Sequence, residues 1–330
     1  MLWAVVISVV VLLVVVVLWR VWRLRRTTKE YLSGYAVNVQ YHFPWVERLE
    51  HCVTVQDSNG YSSTHTEFEY RPHQEMWIME LNTERYVRIS REAFEECVKV
   101  WGGEGHEVYP EHPNRISGGG GRLYLWNEVY EDSVTHTYLG DYVNHLRNSK
   151  PLFARPDIDA ERAHDLGLID YPAVDERYLE SDVVLISPKL SGRVDISPRA
   201  QRSIQLLNGH YGDSHEIHIF VLLFDADDTE AVAEQQKIYW QEGNKNEFVV
   251  CLGVDVEHDV PLVRWCCPFS WSADMALSTA TKEWFVSHPE LNVEEFAEWL
   301  RPNLDLWHRR QFSEFKPRGC RVAKWSKRGK

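Results

Sequence analysis

An α+β fold is what this sequence predicts: an N-terminal transmembrane helix, a mainly β domain, then a small α/β domain. Three observations carry that expectation. Residues 2–19 form an apolar run in which only Ser8 is polar. From Tyr35 to about Lys150 several short stretches alternate between apolar and polar positions, the period of strands. From Ser197 onward, helix-spaced stretches alternate with short apolar runs, the pattern of a sheet covered by helices.

The first run is long enough to span a bilayer. At about 1.5 Å rise per residue, residues 1–19 extend roughly 28 Å, close to the hydrocarbon thickness. Trp3, Trp19 and Trp22 stand where interfacial aromatics belong. A cleaved signal peptide would carry its positive charge first and end in small residues, whereas here Arg20, Arg23, Arg25, Arg26 and Lys29 follow the run. Residues 1–26 are therefore expected to be an uncleaved anchor with a basic flank. The positive-inside tendency predicts a single-pass membrane protein with its C-terminal body in the cytoplasm.

Charge divides the rest. Residues 1–29 carry +5 and residues 309–330 carry +8, so the net charge of −13 leaves −26 for residues 30–308. So acidic a body is not expected to bind nucleic acid. The basic tail, residues 309–330, includes Trp325 and can either touch lipid headgroups or remain a solvated terminus. The six cysteines form no disulfide framework, and Cys266 and Cys267 are adjacent, which suits reduced, mostly buried thiols.

Taken in order, residues 27–33 read as a short polar connector. Residues 36–41, 52–55, 64–70, 76–81 and 122–130 read as strands of a β-rich domain over 35–150. A helix interrupts them, capped by Ser90, with Ala93, Phe94, Cys97, Val98 and Trp101 on one face and Gly102-Gly103 at its end. Residues 151–196 are rich in Pro and Asp and read as a connector, with a short helix over 160–166 closed by Gly167. The α/β domain spans 197–308. Ser197-Pro198 opens a helix that Asn208-Gly209 is expected to close. A strand buried on both faces follows over 217–224, then a helix over 229–240 and paired strands over 248–254 and 260–267. Two helices complete it, over 273–286 and after the capping pair Asn292 and Glu295.

The candidate chemistry centres on Asp225, Asp227 and Asp228 at the end of the buried strand, with Asp255 ending the next one. Strand ends of this kind hold ligands in α/β sheets, and carboxylates converging there bind Mg²⁺ or Ca²⁺. The competing reading makes Asp227 and Glu230 a capping box for the following helix, with no cofactor. His215 and His218, three apart on a strand, would face opposite ways. His106, Glu107, Glu111 and His112 lie in a loop that reads as solvated, and no Cys/His spacing matches a zinc site. Ser133, His136, Asp141 and His145 hold the ingredients of a hydrolytic site, without a nucleophile elbow. The run Gly118-Gly119-Gly120-Gly121 lacks the ending of a phosphate-binding loop and reads as a flexible connector.

Residues 217–223, the helix ending in Trp240 before Gly243, and residues 248–252 together resemble the TPM domain of membrane-tethered bacterial and chloroplast proteins. The resemblance covers residues 197–290 and implies a small α/β sandwich. Phosphatase activity and the maintenance of membrane complexes are attributed to that family. The resulting expectation is a membrane-anchored, non-catalytic interaction or scaffold module that meets lipid through its helix and a protein partner through its body. The alternative is a metal-assisted phosphohydrolase using the acidic cluster.

Overall fold

A computed structural model of the chain describes residues 12–13, 15–16, 27–56, 61–109, 112–143, 158–179, 181–240, 246–271 and 275–309. The anchor positions Trp3, Trp19, Arg20, Trp22, Arg23, Arg25 and Arg26 lie outside these residues, as do residues 310–330. Among the described residues, no helix is long and apolar enough to cross a membrane. The rest is a mixed α+β structure in which strand predominates over helix.

Thirteen strands and six α-helices are described. Strand β1 (Thr27–His42) is the spine of the first half. Its opening residues, from Thr27 to Tyr35, pair antiparallel with β9 (Thr135–Val143). Its closing residues pair with β4 (Met76–Leu81) on one side and β8 (Gly121–Leu125) on the other. Strands β5 (Tyr86–Ile89) and β6 (His106–Val108) complete this sheet. The expected connector over 27–33 is thus strand, and the polar row Thr-Thr-Lys-Glu conceals it. Glu30 and Ser33 are nevertheless buried because each finds a polar partner: Arg309 for the one, Thr137 for the other. Helix α1 (Arg91–Trp101) packs here as expected, with Ser90 Oγ accepting from the Ala93 amide at 3.2 Å.

The second half is a four-stranded sheet in the order β10 (Val184–Ile186), β11 (His218–Asp225), β12 (Glu247–Asp255), β13 (Leu262–Phe269). Strands β10, β11 and β12 run parallel and β13 is antiparallel. Helices α2 (Ala160–Leu166), α3 (Pro198–His215), α4 (Ala231–Tyr239), α5 (Ala276–Ser287) and α6 (Val293–Asn303) accompany it. Strand β10, only three residues long, sits in the stretch that reads as a connector.

Two expectations fail here for stated reasons. Asn208-Gly209 does not end α3, which continues to His215. The Asn208 side chain instead accepts from the Ile219 amide at 2.8 Å and donates to the Ile219 carbonyl at 3.1 Å. Gly209 lets the helix lie against β9, since a Cβ there would stand 2.3 Å from Thr135 Cγ2. Nor do His215 and His218 share a strand: His215 ends α3 and His218 begins β11. The same amide device recurs in α4, where buried Gln236 bonds both the amide and the carbonyl of Ile169 at 2.9 Å.

There are two cores. One gathers Ala36, Val39, Met79, Leu81, Phe94 and Cys97 between the first sheet and α1. The larger one surrounds β11 and β12, and Tyr31 of β1 belongs to it. Strand β1 therefore enters both.

A third, three-stranded sheet projects outward, in the order β3 (Ser62–His73), β2 (Trp45–Gln56), β7 (Arg115–Gly118).

Candidate functional site

Asp225 ends β11 and Asp255 ends β12, neighbouring strands whose register places Asp225 opposite Val254. The acidic residues do gather at the carboxyl end of the parallel strands, and each of three meets a basic side chain. Asp225 pairs with Arg193. Asp228 Oδ1 lies 3.0 Å from Lys189 Nζ. Asp255 Oδ2 lies 2.6 Å from Arg264 and 3.3 Å from His258 Nε2. The Glu257 amide and then Arg264 hold the Asp255 carboxyl below its ordinary pKa. Asp227 is exposed. Among the described residues, no group of three or more His, Cys, Asp or Glu side chains is arranged to hold a metal ion. One atom stands apart: Asp228 Oδ2 is buried without a hydrogen-bond partner.

The capping box does not form. Helix α4 begins after Glu230, with no side-chain cap. Asp225 closes the preceding turn itself, its Oδ1 accepting from the Asp227 amide at 3.1 Å. Lys189 and Arg193 were not recognisable as partners from spacing, because they lie 39 and 32 residues away along the chain. Both follow β10, so recognising that short strand would have placed them at the same end of the sheet.

Several of the remaining candidates have partners within the fold. Ser133 Oγ and His210 Nε2 lie 2.8 Å apart, but Ser133 is wholly buried. Burial, and then Arg301 and Arg202, push the His210 pKa down to about 4. His136 Nε2 donates to the Glu176 carbonyl at 2.9 Å. Asp141 is in β9, while His145 lies outside the described residues, as does Glu111 of the loop group. His106 and Glu107 belong to β6, and His112 packs against Trp45 with ring centres 4.3 Å apart. In the glycine run, Gly118, Gly119 and Gly120 all have positive φ. The run is a tight turn: the Gly119 amide donates to the Pro44 carbonyl, and a Cβ on Gly118 would meet that same oxygen at 2.5 Å.

The least expected feature is the hairpin of β2 and β3. Twelve pairs join Trp45 with His73 through to Gln56 with Ser62, a ladder about 40 Å long at roughly 3.3 Å per residue. Strand β7 meets only Trp45, Val46 and Glu47. Beyond them, among the described residues, β2 pairs only with β3, and β3 is an edge strand. Every β3 residue but His73 is exposed, including Phe68 and Tyr70. Arg48 stacks over the Phe68 ring at 5.0 Å. On the other face His51 meets Glu69 at 3.2 Å and His65 meets Glu67 at 3.0 Å. Pairs this exposed contribute little to stability. The alternation of residues 52–55 and 64–70 was readable as strand, but nothing in it told that neither face would be covered.

Compared with known proteins, the chain matches no family model, no curated protein and no solved structure.

Proposed function

We propose that this chain is a single-pass membrane protein whose cytoplasmic body is a non-catalytic interaction module, with the β2–β3 arm as the element that engages a protein partner. The observation that carries this reading is the arm itself. A two-stranded hairpin is at best marginally stable alone, and open strand edges invite added strands. The partner it suits is an extended segment that adds a strand along residues 62–73, with Phe68 and Tyr70 offering side-chain contacts. The strand–helix–strand unit β11-α4-β12 supports treating the second half as a TPM-like scaffold. The pairing of Asp225, Asp228 and Asp255 with Arg193, Lys189 and Arg264 argues for a structural acidic cluster.

A photo-crosslinking residue in place of Phe68, in the full chain in native membranes, tests the reading. A discrete adduct at Phe68, absent when the same group replaces exposed Val286 on α5, is the expected result. Equal labelling at both positions, or at neither, would remove the arm as a docking element.

The unpartnered Asp228 Oδ2 favours a second reading, a metal-assisted phosphohydrolase using Mg²⁺ or Ca²⁺. Under it, either ion raises the melting temperature, and Asp225→Asn and Asp228→Asn abolish that rise. We expect no such response and no phosphatase activity.

A further inference from the structure

A cavity of about 310 Å³ lies where the two halves of the molecule meet. Helices α3 and α6 form two of its walls, and the short 3₁₀ turn Tyr130–Asp132, which precedes β9, forms the third. Helix periodicity brings the lining residues together. Arg199, Arg202 and Leu206 recur down one stripe of α3; Glu294, Ala297 and Arg301 recur down the facing stripe of α6. Near the start of both helices Arg199 Nε lies 3.2 Å from the Glu294 carboxylate, to which the Ser197 hydroxyl donates at 3.1 Å. Further along both, Arg301 Nε donates to the Tyr211 hydroxyl at 3.0 Å. The two helices therefore run in the same direction with the cavity between them.

Three arginines and three glutamates line the cavity, and their pairing sorts them. Arg199 and Glu294 neutralise one another at one end. Towards the other, the Arg202 guanidinium donates to the Ser133 carbonyl, and Arg301 lies over the Tyr130 ring at 4.8 Å. Both charges bear on one place: after burial itself, Arg301 and then Arg202 hold down the pKa of His210, whose ring packs on Tyr130 with centres 4.5 Å apart. Burial pushes the Tyr130 hydroxyl up to about 12, so it stays a neutral donor. Glu298 precedes Arg301 by one helical turn, about 5–6 Å between Cβ atoms, and Glu131 follows Tyr130. Among the described residues neither carboxylate forms an ion pair with Arg301, which is held by a hydroxyl and a ring. A simple anion would suit the two arginines and be repelled by Glu131 and Glu298; a simple cation would meet the reverse. A ligand carrying both charges close together suits all four.

We propose that this cavity binds a free α-amino acid with an apolar side chain, its carboxylate on Arg301 and Arg202 and its ammonium on Glu298 and Glu131. Leu206, Ala297 and the Tyr130 ring take the side chain. The site draws on neither the anchor nor the β2–β3 arm. Because its walls come from both halves, a bound ligand ties the turn at Tyr130 to α3 and α6 and stabilises the folded chain in proportion to occupancy.

Calorimetric titration of the purified full chain with L-valine, L-leucine and L-phenylalanine tests the proposal. The N-acetyl derivative of each, which lacks the ammonium, and the amide, which lacks the carboxylate, are titrated beside it. The expected result is saturable binding of at least one amino acid, with a rise in melting temperature. Arg301→Gln and Glu298→Gln, both at exposed positions, each weaken that binding by on the order of tenfold to a hundredfold. The two blocked derivatives bind more weakly by a similar factor. Should Arg301→Gln fail to fold, Glu298→Gln carries the comparison alone. Binding that survives both substitutions lies elsewhere and overturns the proposal. An N-acetyl derivative that binds as tightly as its parent makes this a site for simple anions, and an equally tight amide makes it one for cations; either overturns it. So does the absence of saturable binding by all three amino acids.

Discussion

Strands β11 and β3 are built from the same backbone geometry and opposite surroundings. Of the eight residues of β11, all but Asp225 are buried, and the strand is flanked by β10 and β12. Of the twelve residues of β3, all but His73 are exposed, and one neighbour holds it. Side-chain burial supports the first and backbone pairing the second. The difference separates the part of the molecule that must be kept intact from the part free to meet something else. A strand that buries so little adds little to the core.

The largest expected effect falls in the core. Phe220 is about 1% exposed and packs edge-on against Trp240 and His218. Phe220→Ala should cost about 3–5 kcal/mol in urea unfolding. Phe68→Ala on the arm should stay within about 0.5 kcal/mol. Comparable losses for the two would break the comparison and show the arm to be packed.

Acid should weaken the core in preference to the arm. Burial pushes His218 down to about 3, against an ordinary value near 6.5. Its folded-state pKa is depressed, so the stability it contributes is complete above about pH 6.5. That contribution is lost as pH falls from there towards 3. Below 6.5 the unfolded chain binds a proton that the folded one does not, at about 1.4 kcal/mol per pH unit. His210, held near 4 and only half-buried, adds a smaller loss in the same direction. A melting temperature that falls from pH 7 to pH 4.5 in the parent, and less steeply in His218→Gln, is the expected observation. Identical slopes would assign the acid sensitivity elsewhere.

The smallest of the core effects sharpens the boundary between the halves. Gly209→Ala should destabilise by about 1–3 kcal/mol, because the new methyl meets Thr135 on β9. Thr135→Ser removes that methyl contact and should restore most of the loss. Failure of the rescue would place the clash elsewhere than the Thr135 methyl, and no loss in Gly209→Ala would mean that α3 and β9 move apart freely.

Much of the element order was legible in the sequence, and the reasons are local. Ser90, Ser197 and Asn292 cap their helices as their spacing predicts, each accepting from the backbone amide three residues on. The apolar run around β11 is buried throughout, and β12 and β13 pair across the turn at Glu257-His258-Asp259. What escaped was set by distant partners. Residues 27–33 are polar in composition and become strand because β9 supplies the pairing about a hundred residues later. Asn208-Gly209 carries a helix-stop signature and instead serves Ile219 and Thr135. Of the site, the acidic cluster at the sheet end was visible, but its neutralising partners were not. Arg193 and Lys189 reach it only because β10 lies beside β11.

Tyr31 also sets the order in which the molecule can be completed. Its ring stacks on Tyr171 and His218, and its carbonyl awaits Asn246, 215 residues further along. At translation rates of about 5–20 residues per second, the ribosome needs roughly 10–40 s to deliver that partner. The strand made first is therefore among the last to be seated. Until Tyr171 and His218 have been made its aromatic face is uncovered, and a chaperone that shields nascent chains would find its target there.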